Sequence, residues 1–91
     1  MRILVIEDNC DVGEGIVESI DTMGHSVDWA RDGETGNEWL ATNSYQLVIL
    51  DLMLPSLDGM TLLRRLRERR CDVPVLILSA RAGIDDRIDT L

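Results

Sequence analysis

Ninety-one residues leave room for one domain, and a chain of that size buries a smaller share of its surface than a domain of about 100 to 150 residues does. Apolar residues make up 45% of it and charged residues 29%, a balance too apolar for intrinsic disorder. The net charge of −8 argues against a general nucleic-acid binder, which needs excess positive charge to displace counterions from the phosphate backbone.

The first apolar run, Ile3 to Ile6, stops at Glu7 and Asp8, too soon for the apolar core of a secretory signal. It reads as a buried strand, because short runs rich in Val and Ile that do not alternate with polar residues suit a parallel sheet covered on both faces. Val12, Ile16, Ile20 and Met23, with Val17 beside them, then form a helical stripe that Met23-Gly24 ends. Ser26 to Ala30 alternates, with Val27 and Trp29 on one face, and is expected to be an edge strand. Asp32-Gly33 opens a shorter second helix marked by Thr35, Trp39 and Leu40, and Leu47 to Leu50 is a third strand. Asp58 serves as N-cap of a third helix that turns Met60, Leu62, Leu63 and Leu66 inward and its arginines to water. Val73 to Leu78, with Pro74 near its start, is the fourth strand, and Ile84, Ile88 and Leu91 begin a fourth helix.

Strand and helix alternating in this way imply right-handed crossovers and a doubly wound parallel α/β sheet, with helices on both faces. No repeat, low-complexity tract or linker divides residues 1–91. No run approaches membrane-spanning length, and Cys10 and Cys71 stand alone, without Cys-x-x-Cys spacing. A cytoplasmic protein with reduced thiols is expected, and one with no membrane association.

Ligands of an open parallel sheet gather beyond the carboxyl ends of its strands. The first strand runs into Glu7-Asp8, the third into Asp51 and the fourth into Ser79-Ala80. Two carboxylates about 5 Å apart repel by roughly 3 kcal/mol at an effective dielectric of about 20, so three together ask for a cation. Oxygen ligands without histidine or cysteine select a hard ion, and Mg²⁺ fits the set. Such an ion also permits phosphoryl chemistry in an acidic pocket, with one carboxylate as nucleophile. Plainer roles stand beside these. Asp8 and Asn9 are also ordinary helix caps, Asp51 a solvated residue after a strand, and Ser79 a local hydrogen bonder. Arg64, Arg65, Arg67, Arg69 and Arg70 read as a solvated face near a helix C-terminus, and His25, Trp29 and Trp39 as packing or surface residues.

Three stretches together, Ile3-Leu4-Val5-Ile6-Glu7-Asp8-Asn9, then Leu50-Asp51-Leu52-Met53-Leu54-Pro55 through Asp58-Gly59, and Ile77-Leu78-Ser79-Ala80-Arg81, resemble the receiver domains of two-component response regulators. The resemblance implies a flavodoxin-like fold with strand order 2-1-3-4. It implies that Asp51 accepts a phosphoryl group from the phosphohistidine of a sensor histidine kinase. Glu7, Asp8 and Asp51 would hold Mg²⁺ together with the backbone carbonyl of Met53, while the Ser79 hydroxyl and the Ala80 N–H would contact the phosphoryl group. Such a chain is a phosphoacceptor and switch, assisting its own phosphoryl transfer, and not an enzyme acting on a separate substrate. The pattern around Asp51 and Ser79 is most similar to receivers joined to a winged-helix DNA-binding domain, which implies transcription regulation by the parent protein.

The family's fifth strand, fifth helix, phosphate-site lysine and switch aromatic have no counterpart, so residues 1–91 read as a truncated receiver. The fourth strand would then expose an apolar edge, and self-association by strand addition or exchange of elements is expected. No direct nucleic-acid binding is expected of this part. The competing reading is a phospho-independent interaction module on the same fold.

Overall fold

Each apolar run becomes a strand in the computed structural model, which describes residues 1–52, 54 and 58–78 together with the backbone of 87–89. In chain order the elements are β1 (Arg2–Ile6), α1 (Cys10–Thr22), β2 (Ser26–Ala30), α2 (Gly33–Thr42), β3 (Leu47–Asp51), α3 (Gly59–Glu68), β4 (Val75–Leu78) and β5 (Arg87–Asp89). The first four strands are parallel and ordered β2-β1-β3-β4, with β2 at the edge as its alternating sequence predicts. The winding therefore reverses between β1 and β3, and the carboxyl ends of those strands lie side by side.

Two apolar layers sandwich the sheet. On one face Leu4, Ile6, Val48, Leu50, Val75 and Ile77 pack with Leu40 of α2 and Leu62, Leu63 and Leu66 of α3. On the other, Ile3, Val5 and Ile49 meet Ile20 of α1, with Ile16, Val17, Val27 and Trp29 packed around them. Leu76 and Leu78 point to this second face and are only partly covered, because α1 is its one described helix.

Three residues of the expected apolar stripes turn outward. Val12 and Met23 of the α1 stripe are 44% and 65% exposed, and Met60 at the start of α3 is 46% exposed. All three sit at helix ends, where fewer neighbours remain to cover a side chain. Arg67, expected to face water, folds back instead. Its guanidinium donates to the carbonyls of Cys71 (2.7 Å) and Val73 (3.0 Å), fixing the turn from α3 into β4. That strand begins at Val75, two residues later than expected, because Pro74 has no N–H for the ladder and contributes only its carbonyl, to Val48 N at 3.0 Å.

The largest correction concerns the expected fourth helix. Ile88 lies in β5, antiparallel to β4 with Leu76 opposite Ile88, while Ile84 and Leu91 are outside the described residues. One isoleucine flanked by Arg87 and Asp89 fits a strand period as readily as a helical one, and a helix of a few residues is marginal in water. Pairing satisfies the N–H and C=O groups that β4 would otherwise leave open. A fifth strand is thus present, in antiparallel sense, and the open edge on which self-association was expected is covered.

Asp32 is the N-cap of α2, its carboxylate accepting from Thr35 N at 2.7 Å, and hydrogen bonds from the Thr35 backbone, the Thr35 side chain and the Glu34 backbone hold its carboxyl below the ordinary aspartate range. Replacing Asp32 with Ala should cost about 1 kcal/mol in urea denaturation, and Asp32→Asn much less, because the amide oxygen still caps.

Candidate functional site

Register brings the acidic residues together. Ile6 pairs with Leu50 across β1 and β3, so the next residues, Glu7 and Asp51, emerge as neighbours at the rim. Glu7 N donates to Ala30 O at 3.1 Å, which carries the β1–β2 pairing one residue past the strand and fixes where the loop departs. Asn9 is the N-cap of α1: its side-chain oxygen accepts from Val12 N at 3.0 Å, and its own N–H donates to Glu7 Oε2 at 3.1 Å. Because Asn9 fills the capping role, Asp8 is not the cap, and its exposed carboxylate faces the same cluster.

Glu7, Asp8 and Asp51 each offer a carboxylate oxygen, and these oxygens all lie within 4.8 Å of one another. Glu7 and Asp51 are each 5% exposed, whereas Asp8 is open to solvent. Burial is the main force that pushes the Glu7 carboxyl up to about 7; the Asn9 N–H works against it, and hydrogen bonding with Asp51 and the charges of Asp51 and Asp8 add to it. At a separation near 5 Å each charged pair costs about 3 kcal/mol at an effective dielectric of about 20, so the cluster is neutralised by a shared proton or by a cation. A donor set of carboxylates alone, two buried and one at the mouth, suits a hard divalent ion that keeps several waters, and the residues present fit Mg²⁺.

The start of α3 presses on the same rim. A Cβ at Gly59 would lie 2.8 Å from both the Asp51 carbonyl oxygen and Leu52 Cα, so only glycine allows this approach. Asp58 caps the helix by accepting from Met60 N at 3.2 Å, and Leu52 N donates to Leu78 O at 3.3 Å, tying the loop after Asp51 to the end of β4. The backbone around Asp51 is therefore held from both sides. Of the expected site residues, Glu7, Asp8 and Asp51 come together, while Met53, Ser79 and Ala80 lie outside the described residues.

Sequence reasoning missed Trp29. Its indole N–H donates to the Glu7 backbone carbonyl at 2.9 Å, at the base of the acidic loop. The available signal was a large aromatic near the end of the strand neighbouring β1, with a glycine facing it from α1.

A family model for the response regulator receiver domain matches residues 3–91. The chain belongs to that family. Among relatives, this receiver is 47% identical over 91 residues to the transcriptional regulatory protein QseB of Escherichia coli O157:H7, covering 100% of this chain and 42% of that protein. It is 40% identical over 91 residues to the transcriptional regulatory protein DltR of Streptococcus agalactiae serotype III, again covering all of this chain and 41% of the relative. The receiver thus spans about two fifths of the length of the curated relatives it matches. In structure it is similar to the Francisella response regulator 1452 receiver domain, with a TM-score of 0.85, 33% identity and coverage of 90% of this chain and 68% of the other. The TrrA response regulator of Thermotoga maritima, solved in complex with Mg(2+)-BeF, gives a TM-score of 0.82 at 29% identity and covers 91% of this chain and 76% of that one. The doubly wound sheet and its 2-1-3-4 parallel order are those of the receiver fold. Among the described residues, no helix is long and apolar enough to cross a membrane.

Proposed function

We propose that residues 1–91 form the phosphoacceptor portion of a transcription-regulating response regulator, in which Asp51 takes a phosphoryl group from the phosphohistidine of a sensor histidine kinase. The observation that carries this reading is the convergence of Glu7, Asp8 and Asp51 within 4.8 Å at the winding reversal of the sheet. A carboxylate oxygen of Asp51 attacks phosphorus, the P–N bond to the imidazole breaks with its electron pair going to nitrogen, and an acyl phosphate remains on Asp51. Glu7, Asp8 and Asp51, with the backbone carbonyl of Met53, would hold Mg²⁺, which would supply the positive charge that lets an anionic group enter an acidic pocket. Its binding to a relative is explicit for the TrrA complex.

Burial positions the Asp51 nucleophile, and the Gly59 contact keeps its backbone from shifting. The Ser79 hydroxyl and Ala80 N–H are the proposed contacts to the phosphoryl oxygens, made only after transfer, so that they bias the chain following β4. The chain acts as a substrate that assists its own phosphorylation, not as an enzyme on other molecules, in the cytoplasm where the kinase's phosphohistidine resides.

Incubation with acetyl phosphate and Mg²⁺ tests this by intact mass. The expected result is a gain of one phosphoryl group, absent with a chelator and absent in Asp51→Asn. No adduct on a folded, Mg²⁺-binding protein would overturn the reading in favour of a phospho-independent docking module, and an adduct that persists in Asp51→Asn would assign the acceptor elsewhere.

A further inference from the structure

Trp29 makes three contacts that no strand or helix requires, and one of them continues to α1. Its indole N–H reaches the Glu7 carbonyl at 2.9 Å. The six-membered part of the ring lies against Gly13 of α1, where a Cβ would collide with Trp29 Cζ2, so the helix passes over the indole only because that residue is glycine. The Arg31 guanidinium lies over the ring, 4.4 Å from its centroid. The same guanidinium donates to Cys10 Sγ at 3.1 Å, at the first residue of α1. One indole is thereby gripped by Gly13 and Arg31 and hydrogen-bonded to the backbone of Glu7, while Arg31 spans from the end of β2 to the start of α1.

Those contacts bracket the segment Glu7–Cys10, which carries two of the three clustered carboxylates. Loops between a strand and a helix are the mobile parts of such a fold, and Asp8 is exposed, so the segment needs restraint if its carboxylates are to hold a fixed geometry. We infer that Trp29 is a positioning residue for the acidic site: its N–H and wedged ring hold the β1–α1 loop so that Glu7 and Asp8 meet Asp51 in a geometry ready for a divalent ion. This rests on the metal-binding part of the proposed function and extends it to a residue that touches no ion or phosphoryl group. Groups orienting the residues that hold an ion typically change its affinity 10- to 100-fold when removed, roughly the scale to expect for the lower end here. Arg31→Ala, which removes the cation–π contact together with the Cys10 hydrogen bond but leaves the indole N–H in place, should have a smaller effect.

The test is Trp29→Phe, which keeps an aromatic ring and removes the donor, measured in the intact chain by two methods. Calorimetric titration with MgCl₂ should show an affinity about tenfold weaker than wild type. Amide hydrogen exchange of the metal-free protein should show faster exchange at Asn9, whose N–H bonds Glu7 Oε2, with Val48 and Ile49 in the central strand unchanged. Ile20→Val, a buried change on the same face away from the loop, is the control for general loosening; it should lower stability yet leave both readouts as in wild type. Gly13→Ala retains the donor but displaces the ring, and should reproduce the Trp29→Phe pattern. Unchanged Mg²⁺ affinity with unchanged Asn9 exchange in Trp29→Phe would overturn the inference, as would equal effects in Ile20→Val. Absence of Mg²⁺ binding in wild type would instead strike the proposed function, and the exchange data would still decide whether Trp29 holds the loop.

Discussion

The unfolding free energy of the metal-free protein is expected to fall as pH rises from about 4.5 to about 7, by up to about 3 kcal/mol. The sign follows from Glu7. Its carboxyl releases its proton near 4.5 when unfolded and near 7 when folded, so between those values the folded chain binds more protons and deprotonation favours unfolding. Stability from this group is complete below about 4.5 and is lost once pH passes about 7. Asp32 acts in the opposite sense and in a lower window: its depressed carboxyl adds stability above the ordinary value of 3.8 and gives it up as pH falls. Saturating Mg²⁺ should flatten the Glu7 slope, because a cation among Glu7, Asp8 and Asp51 replaces the proton as the source of positive charge. Urea denaturation at several pH values, with and without MgCl₂, checks both halves. Glu7→Gln should remove the slope in metal-free buffer and raise stability near pH 8, roughly where wild type is weakest. A slope that survives in Glu7→Gln would show that another group is responsible.

Truncation of the core on the α3 side should be the most damaging single change. Leu66 is fully buried between α3 and the sheet, so Leu66→Ala should cost about 2–5 kcal/mol, a large part of the roughly 5–15 kcal/mol that a domain possesses. Met60 belongs to the same apolar pattern in sequence but is 46% exposed, and Met60→Ala should stay within about 0.5 kcal/mol of wild type. Equal losses at the two positions would contradict the packing described for α3. Chemical denaturation of both variants in excess Mg²⁺ separates the outcomes, because neither side chain belongs to the acidic cluster.

That pair of leucine and methionine also marks how far sequence reaches. The runs Ile3–Ile6, Leu47–Leu50 and Val73–Leu78 were legible as buried parallel strands because apolarity of that length has few other solutions, though the last starts only at Val75, and the alternation of Ser26–Ala30 placed β2 at the edge. Glu7, Asp8 and Asp51 were legible because topology delivers the ends of β1 and β3 to one rim. Periodicity says which side of a helix is apolar but not how far the partner surface extends, so Val12, Met23 and Met60 were assigned inward although each is exposed at a helix end. Ile88 was misread because the spacing of Ile84, Ile88 and Leu91 matches a helix while a helix of a few residues is marginal, and the unpaired edge of β4 decided its state. Asn9 and Asp8 were equivalent as caps until the backbone chose Asn9, and Trp29 could not be tied to Glu7 because an indole's direction depends on the glycine across from it.

Phosphoryl transfer to a single aspartate is the claim on which the functional account turns. The most direct measurement is borohydride reduction of the chain after incubation with acetyl phosphate and Mg²⁺, followed by peptide sequencing in the mass spectrometer. Reduction converts an aspartyl phosphate to homoserine and leaves free carboxylates unchanged. The account predicts homoserine at position 51 and nowhere else, and none when Mg²⁺ is withheld. Conversion at Glu7, at Asp8 or at another acidic residue, or no conversion in a protein that demonstrably binds Mg²⁺, would contradict it.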